Sequence, residues 1–226
     1  MNADTFSATL HQLSTWVLPV LIGITLHEAA HGYVAWLRGD DTAYRLGRVS
    51  FNPLVHIDPM GTVLLPALLY MAGGFLFGYA KPVPVAFQRL RNPRWDSVLV
   101  AAAGPGINLV LALVSALLLH AVTYMPDVAA GWAGATLVNS LELNIWLAVF
   151  NLLPVPPLDG GRILVGIVPR PIGARIAALE PYGMWIVLFL LFLLPVLLHR
   201  NIIGGILFPI VDYIRSAIIV LTGVGS

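Results

Sequence analysis

The feature that most constrains this chain is a succession of apolar runs long enough to cross a lipid bilayer. A spanning helix needs roughly 20 mostly apolar residues. Five stretches reach or approach that length, at about 13–37, 96–122, 133–155, 182–198 and 202–221. In hydrocarbon every backbone N–H and C=O must be satisfied within the protein, and for unbroken apolar runs the helix is the structure that does so. Composition points the same way. Of the 226 residues 58% are hydrophobic and 10% charged, against about 25% charged in an ordinary soluble domain. A soluble fold of this size would lack the polar surface to stay in solution. The predicted fold class is an all-α integral membrane protein with five to six transmembrane helices, forming a single polytopic domain over residues 1–226.

A sixth stretch, about 61–80, is apolar but interrupted by Pro66 and the Gly73-Gly74 pair. It reads either as a further span or as a re-entrant element buried in the protein. The cations favour re-entry. Arg38, Arg45 and Arg48 follow the first run, Lys81, Arg89, Arg91 and Arg94 precede the next, and Arg162, Arg170 and Arg175 lie between the third and fourth. The positive-inside rule puts all three loops in the cytoplasm, which requires 61–80 to enter and leave on one side. The N-terminus is then outside and the chain beyond Arg215 inside. The first run has no basic residue before it and no small-residue cleavage site after it, so it is expected to be a retained helix. The stretch Leu46–Asp58 is rich in β-type residues and turn formers and is expected to supply short strands or an extended edge near the membrane.

The charges and residue types exclude several functions. Twelve Lys+Arg against eleven Asp+Glu leave a net charge of +1, so there is no basic field for nucleic acid. The chain has no cysteine, which rules out disulfides, thiolate metal sites and a cysteine nucleophile. Any metal has to be held by His, Asp or Glu.

The first run contains His27-Glu28-Ala29-Ala30-His31. Residues at i and i+4 share a helix face, so both imidazoles can reach one ion. A glutamate next to the first histidine can act as general base on water at that ion, which is the zincin arrangement. Six His and three Glu in this chain give about 0.002 expected chance matches to that template. Ionisable residues inside a span are costly and usually mark function. A catalytic zinc takes three protein ligands, and Asp159 is the candidate for the third. It closes Asn151-Leu-Leu-Pro-Val-Pro-Pro-Leu-Asp159-Gly160-Gly161, where prolines end a helix and glycines permit close backbone approach. Its plainer reading is a capping Asp at a helix terminus.

These motifs resemble the two signatures of the site-two protease family of intramembrane zinc metalloproteases, H-E-x-x-H in one span and N-x-x-P-x-x-x-x-D-G in a later one. The intervening Gly104-Pro105-x-x-Asn108, the Asn52–Gly61 stretch and Lys81-Pro-Val-Pro-Val85 look like those of short bacterial members, which have no PDZ or CBS module. The resemblance covers about residues 13–165. It implies a three-helix catalytic core there, with extra helices at about 182–221. It also implies one zinc ion per chain on His27, His31 and Asp159, with Glu28 activating water and Asn151 stabilising the oxyanion or holding the substrate strand. The substrate would be a transmembrane or membrane-adjacent segment of another protein, cut toward the cytoplasmic side of the cell membrane, with a regulatory partner also conceivable. A helix exposes no scissile carbonyl, so the 46–58 segment is expected to hold the unwound substrate by edge pairing.

Two auxiliary positions carry two readings each. His56 is either an additional ligand near the zinc or a loop histidine bonded to backbone. Asn108 is either a packing contact or a secondary donor at the site. An alternative for the whole molecule is a membrane metal-ion transporter using the same His/Asp site. The absence of an internal repeat and the Glu directly after His27 weigh against it.

Overall fold

The structure is a computed structural model that describes residues 3–64, 81–200 and 202–224. Among the described residues, five helical runs are long and apolar enough to cross a membrane: Ser7–Leu37, Pro93–Val122, Asp127–Asn151, Arg170–Leu198 and Ile202–Thr222. The chain is an all-helical, multi-pass membrane protein. The 61–80 stretch, expected to re-enter or span, lies almost wholly outside the described residues.

The first helix, α1, runs Ala3–Leu37 and accommodates Pro19, which is fully buried. It stops where Gly39 takes a φ of +108°, a conformation that glycine adopts without a Cβ penalty. Asp40, with no exposed surface, then gathers the turn together. Its carboxylate accepts from Thr42 Oγ1 at 2.5 Å, Thr42 N at 3.0 Å and Ala86 N at 2.6 Å. The short helix α2, Thr42–Arg45, follows. Helix α3, Pro93–Val122, starts with proline at its first position and carries Pro105 inside it. Proline suits an N-terminus, where its missing N–H has no intrahelical partner in any case.

Helix α4, Asp127–Asn151, starts six residues earlier than the hydropathy alone suggests and ends four residues sooner. The early end has a local cause: Pro154, Pro156 and Pro157 cannot donate to a helix ladder. The chain turns irregularly and restarts as α5, Asp159–Ile167. Arg94 on α3 fixes α5 by its far end, donating to the carbonyls of Gly166 (2.7 Å), Ile167 (3.1 Å) and Val168 (2.9 Å). These are the orphan acceptors of a helix C-terminus. The next run is broken into α6, Arg170–Ala177, a 3-10 turn at Glu180–Tyr182, α7, Gly183–Leu188, a π turn at Phe189–Leu193, and α8, Leu194–Leu198. Helix α9, Ile202–Thr222, comes last.

Helices α1, α3 and α4 pack mutually and form the centre of the molecule. Helix α9 adds Leu207, Val211 and Ile218 to a core with Ala112, Ala116, Leu141, Ile145 and Val149. The alanines of α3 let backbones approach closely, the usual basis of helix association in lipid.

The 46–58 segment differs from expectation. It contains a 3-10 turn at Pro53–His56 and no strand among the described residues. Asn52 Oδ1 accepts from Leu54 N at 3.1 Å, an Asx turn that takes the place of a ladder bond, and Pro53 removes a donor. No edge for strand pairing is formed there.

Candidate metal centre

Two helices bring three side chains to one buried point. His27 and His31 lie one helical turn apart on α1, and their Nε2 atoms are 3.1 Å apart. Asp159, the first residue of α5, brings its Oδ2 to 3.2 Å from His27 Nε2 and 3.4 Å from His31 Nε2. All three residues are buried. The proline-rich turn after α4 makes the carboxylate arrive sideways, at the start of a new helix, rather than along the axis of the old one.

The geometry fits a tetrahedral ion. Ligand atoms about 2.0–2.1 Å from zinc stand about 3.3–3.4 Å from one another, and the three observed separations lie within or close to that range. Among the described residues, Asp159 Oδ2 is buried with no hydrogen-bond partner, which native structures rarely tolerate unless something else satisfies the atom. These three residues form a group that could hold a metal ion. His31 is oriented by Val100 O on α3, 2.7 Å from its Nδ1. A carbonyl only accepts, so Nδ1 carries the hydrogen and Nε2 is left to coordinate.

Close approach of α3 to this point depends on Gly104. A Cβ there would stand 2.5 Å from His31 Nε2 and 2.6 Å from His27 Nε2. At Gly160, a Cβ would run into the carbonyls of Leu152 and Leu153, so the turn that delivers Asp159 also needs a residue without one.

Glu28 lies beside the trio on α1, and its Oε2 accepts from Val83 N at 2.9 Å. Val83 itself is buried and belongs to the irregular Lys81–Ala86 segment. Asn108 is fully buried, with Oδ1 2.5 Å from His27 Nδ1. Asn151 sits in the last turn of α4, where its Nδ2 donates to Leu147 O at 2.9 Å; no hydrogen bond joins it to the trio among the described residues. His56 is buried, with Nε2 3.1 Å from Ser50 O, and is not a member of the trio. Sequence reasoning did not single out the Val83 N–H or the Val100 carbonyl. Backbone groups leave no mark in residue type, so only the fold reveals them.

A cavity of about 550 Å³ lies elsewhere. It lies between the start of α3, α5 and α6, lined by Phe87, Arg94, Arg162 and Arg170 among others, and none of the trio lines it.

Histidines and a carboxylate converging in this way, with an acid at hand and bilayer-length helices around them, form the arrangement expected of a membrane-embedded metalloprotease. Comparison with known proteins gives the family. The model of peptidase family M50 matches residues 15–140 and 122–194, and the chain belongs to that family. It is 43% identical over 184 residues to a Bacillus subtilis protein named "Putative zinc metalloprotease YwhC", covering 79% of this chain and 80% of that one. Two mycobacterial proteins each carry the name "Putative zinc metalloprotease Rip2". The one from Mycolicibacterium smegmatis is 33% identical over 172 residues, covering 76% of this chain and 64% of the relative. The one from Mycobacterium tuberculosis is 36% identical over 182 residues, covering 78% and 66%. The chain thus spans about two thirds of the length of these mycobacterial relatives. No solved structure gives a significant match. The protein is a protease of family M50.

Proposed function

We propose that this protein is a zinc-dependent intramembrane endopeptidase that cleaves transmembrane or membrane-adjacent segments of other membrane proteins. The observation that carries the reading is the buried trio His27, His31 and Asp159 at tetrahedral spacing, held by helices long enough to span a bilayer. In this reading the catalytic core is about residues 13–165, and one zinc ion is bound per chain.

Zinc in that position would act as a Lewis acid toward water and the scissile carbonyl. Glu28 is the general base. The Val83 N–H on Oε2 sets the rotation of the carboxylate, and Oε1 takes the proton from the attacking water. As the carbonyl carbon gains its new C–O bond and the C–N bond breaks, Glu28 returns that proton to the leaving nitrogen. Asn151 is proposed as the amide donor to the developing oxyanion or to the substrate strand. To do either, its side chain must present an N–H not already given to Leu147 O.

The grouped cations favour an active site toward the cytoplasmic side of the cell membrane, with the N-terminus outside. The test is terminal-peptide mass spectrometry on membranes expressing the parent or Glu28→Gln. New termini within hydrophobic segments that vanish in Glu28→Gln are expected. Identical termini in both samples, or differences confined to soluble segments, would contradict the proposal.

A further inference from the structure

The two metal-facing histidines are oriented by different means. His31 leans on a backbone carbonyl. His27 leans on the side chain of Asn108, and an amide can present either its oxygen or its nitrogen. Which end faces His27 decides which ring nitrogen carries the hydrogen.

The polar chain behind Asn108 settles that choice. Asn144 on α4 places its Nδ2 2.8 Å from Ser140 O. A carbonyl can only accept, so the NH2 group of Asn144 must point there and its Oδ1 must point away, toward Asn108. Asn108 Nδ2 donates to that Oδ1 at 2.7 Å and to Gly23 O at 3.3 Å, the second again a group that can only accept. Asn108 therefore turns its Oδ1 to His27, which must donate from Nδ1–H. His27 Nε2 is then the nitrogen left for the metal. Ser115 Oγ donates to Ser140 Oγ at 2.8 Å and extends the chain back to α3.

Both asparagines are essentially sealed from outside, at 0% and 1% exposure. The relay links α1, α3 and α4 in the molecule's centre. Gly23 makes room for it: a Cβ there would stand 3.1 Å from Asn144 Oδ1. Buried side-chain amides in lipid-embedded helices are expensive unless fully bonded, and these two are bonded at both ends in a single direction.

We infer that Asn108 and Asn144 form a directional hydrogen-bond relay that fixes the tautomer and ring orientation of His27 for metal binding. They are positioning residues, acting on the metal only through His27. The inference rests on the metal site proposed above. Outer partners of ligating histidines typically change metal affinity by 10–100-fold when lost.

The test compares zinc affinity, by competition with a chromophoric chelator, in the detergent-purified parent and in Asn108→Leu and Asn108→Asp. Asn108→Leu keeps the branched shape and deletes both the acceptor and the donors; Asn108→Asp, as the neutral acid, keeps an oxygen facing His27 Nδ1–H and an O–H to give to Asn144 Oδ1. A loss of about tenfold or more is expected for Asn108→Leu, with Asn108→Asp within about threefold of the parent. The visible spectrum of the cobalt-substituted protein should shift in Asn108→Leu and be retained in Asn108→Asp. A purely packing role predicts the opposite order, because the leucine fills the space with apolar atoms and the acid is costly to bury. That opposite order, equal loss in both variants, or no loss in Asn108→Leu overturns the relay. Should Asn108→Leu fail to fold, Asn108→Asp still decides, since loss of zinc there contradicts the inference. If the parent itself takes up no zinc, the metal-site reading falls and the relay with it; if the parent binds zinc and only the order fails, the relay alone falls.

Discussion

At the scale of single residues, the site depends on atoms that are absent as much as on those present. Gly104 lies where any side chain would occupy the space between the two imidazoles and α3. Gly104→Ala should therefore lower zinc affinity by about tenfold or more, an effect of the size seen when ligand geometry is disturbed, as measured by metal analysis after dialysis against buffered zinc. Asp40 makes a prediction in a different quantity. Its burial opposes the charged form, but hydrogen bonds from the Thr42 side chain, Ala86 N and Thr42 N, together with the Arg89 charge, outweigh that and hold its carboxyl below the usual carboxylate range. A carboxyl with a depressed folded pKa contributes stability that is present above its ordinary value and lost as pH falls through the folded one. Thermal melts in detergent should show the parent losing stability below about pH 4, the ordinary carboxylate value, while Asp40→Asn shows a flatter curve there. At neutral pH, Asp40→Asn should cost about 1.5–3 kcal/mol, the range for hydrogen bonds to a charged group. Equal acid sensitivity in the two proteins would show that the Asp40 bonds do not carry this effect.

Between elements, the same logic governs how the last helix is held. Glu142, well inside α4, receives Arg215 of α9 as a two-pronged pair, with Nε to Oε1 at 2.5 Å and Nη2 to Oε2 at 2.6 Å. Asp212 also bonds Arg215 from its own helix. Removing only the cation leaves a carboxylate against apolar helices. Arg215→Leu should destabilise the α4–α9 contact by about 2.5–3.5 kcal/mol, the insertion cost of a lone charged side chain near a helix centre. The double variant Glu142→Leu with Arg215→Leu should recover much of that loss, because replacing both charges removes the desolvation cost. Detergent unfolding of the two variants checks this; a double variant as unstable as the single one would contradict it. Element boundaries also show what was legible beforehand. A break before Asp159 was readable because Pro154, Pro156 and Pro157 leave the backbone few options, but hydropathy carried the end of α4 four residues too far, to 155 instead of Asn151. The 46–58 segment misled because β-branched and aromatic residues signal strands only when a partner edge exists, and here Asn52 and Pro53 divert the backbone into a local turn.

For the molecule as a whole, five apolar runs and one H-E-x-x-H carried most of the fold and the heart of the site, since bilayer length and helical spacing are periodic properties of the chain. The rest was hidden in contacts between distant residues. Asn108 meets His27 across 81 positions, and Val83 meets Glu28 across 55; no spacing rule encodes either. A signal did exist for Asn108 and Asn144, as amides interrupting apolar helices, but it marks only that a partner is needed and not which one. What unites these scales is a bundle that closes three helices around a small cluster of metal-seeking atoms. The most direct measurement of that claim is the zinc content of the protein purified in detergent, beside His27→Ala and Asp159→Ala. About one zinc per chain in the parent and its loss in both variants is the predicted result, as three protein ligands are the usual number at a catalytic zinc. A parent that takes up no zinc even after loading, or variants that retain it undiminished, would contradict the account at its centre.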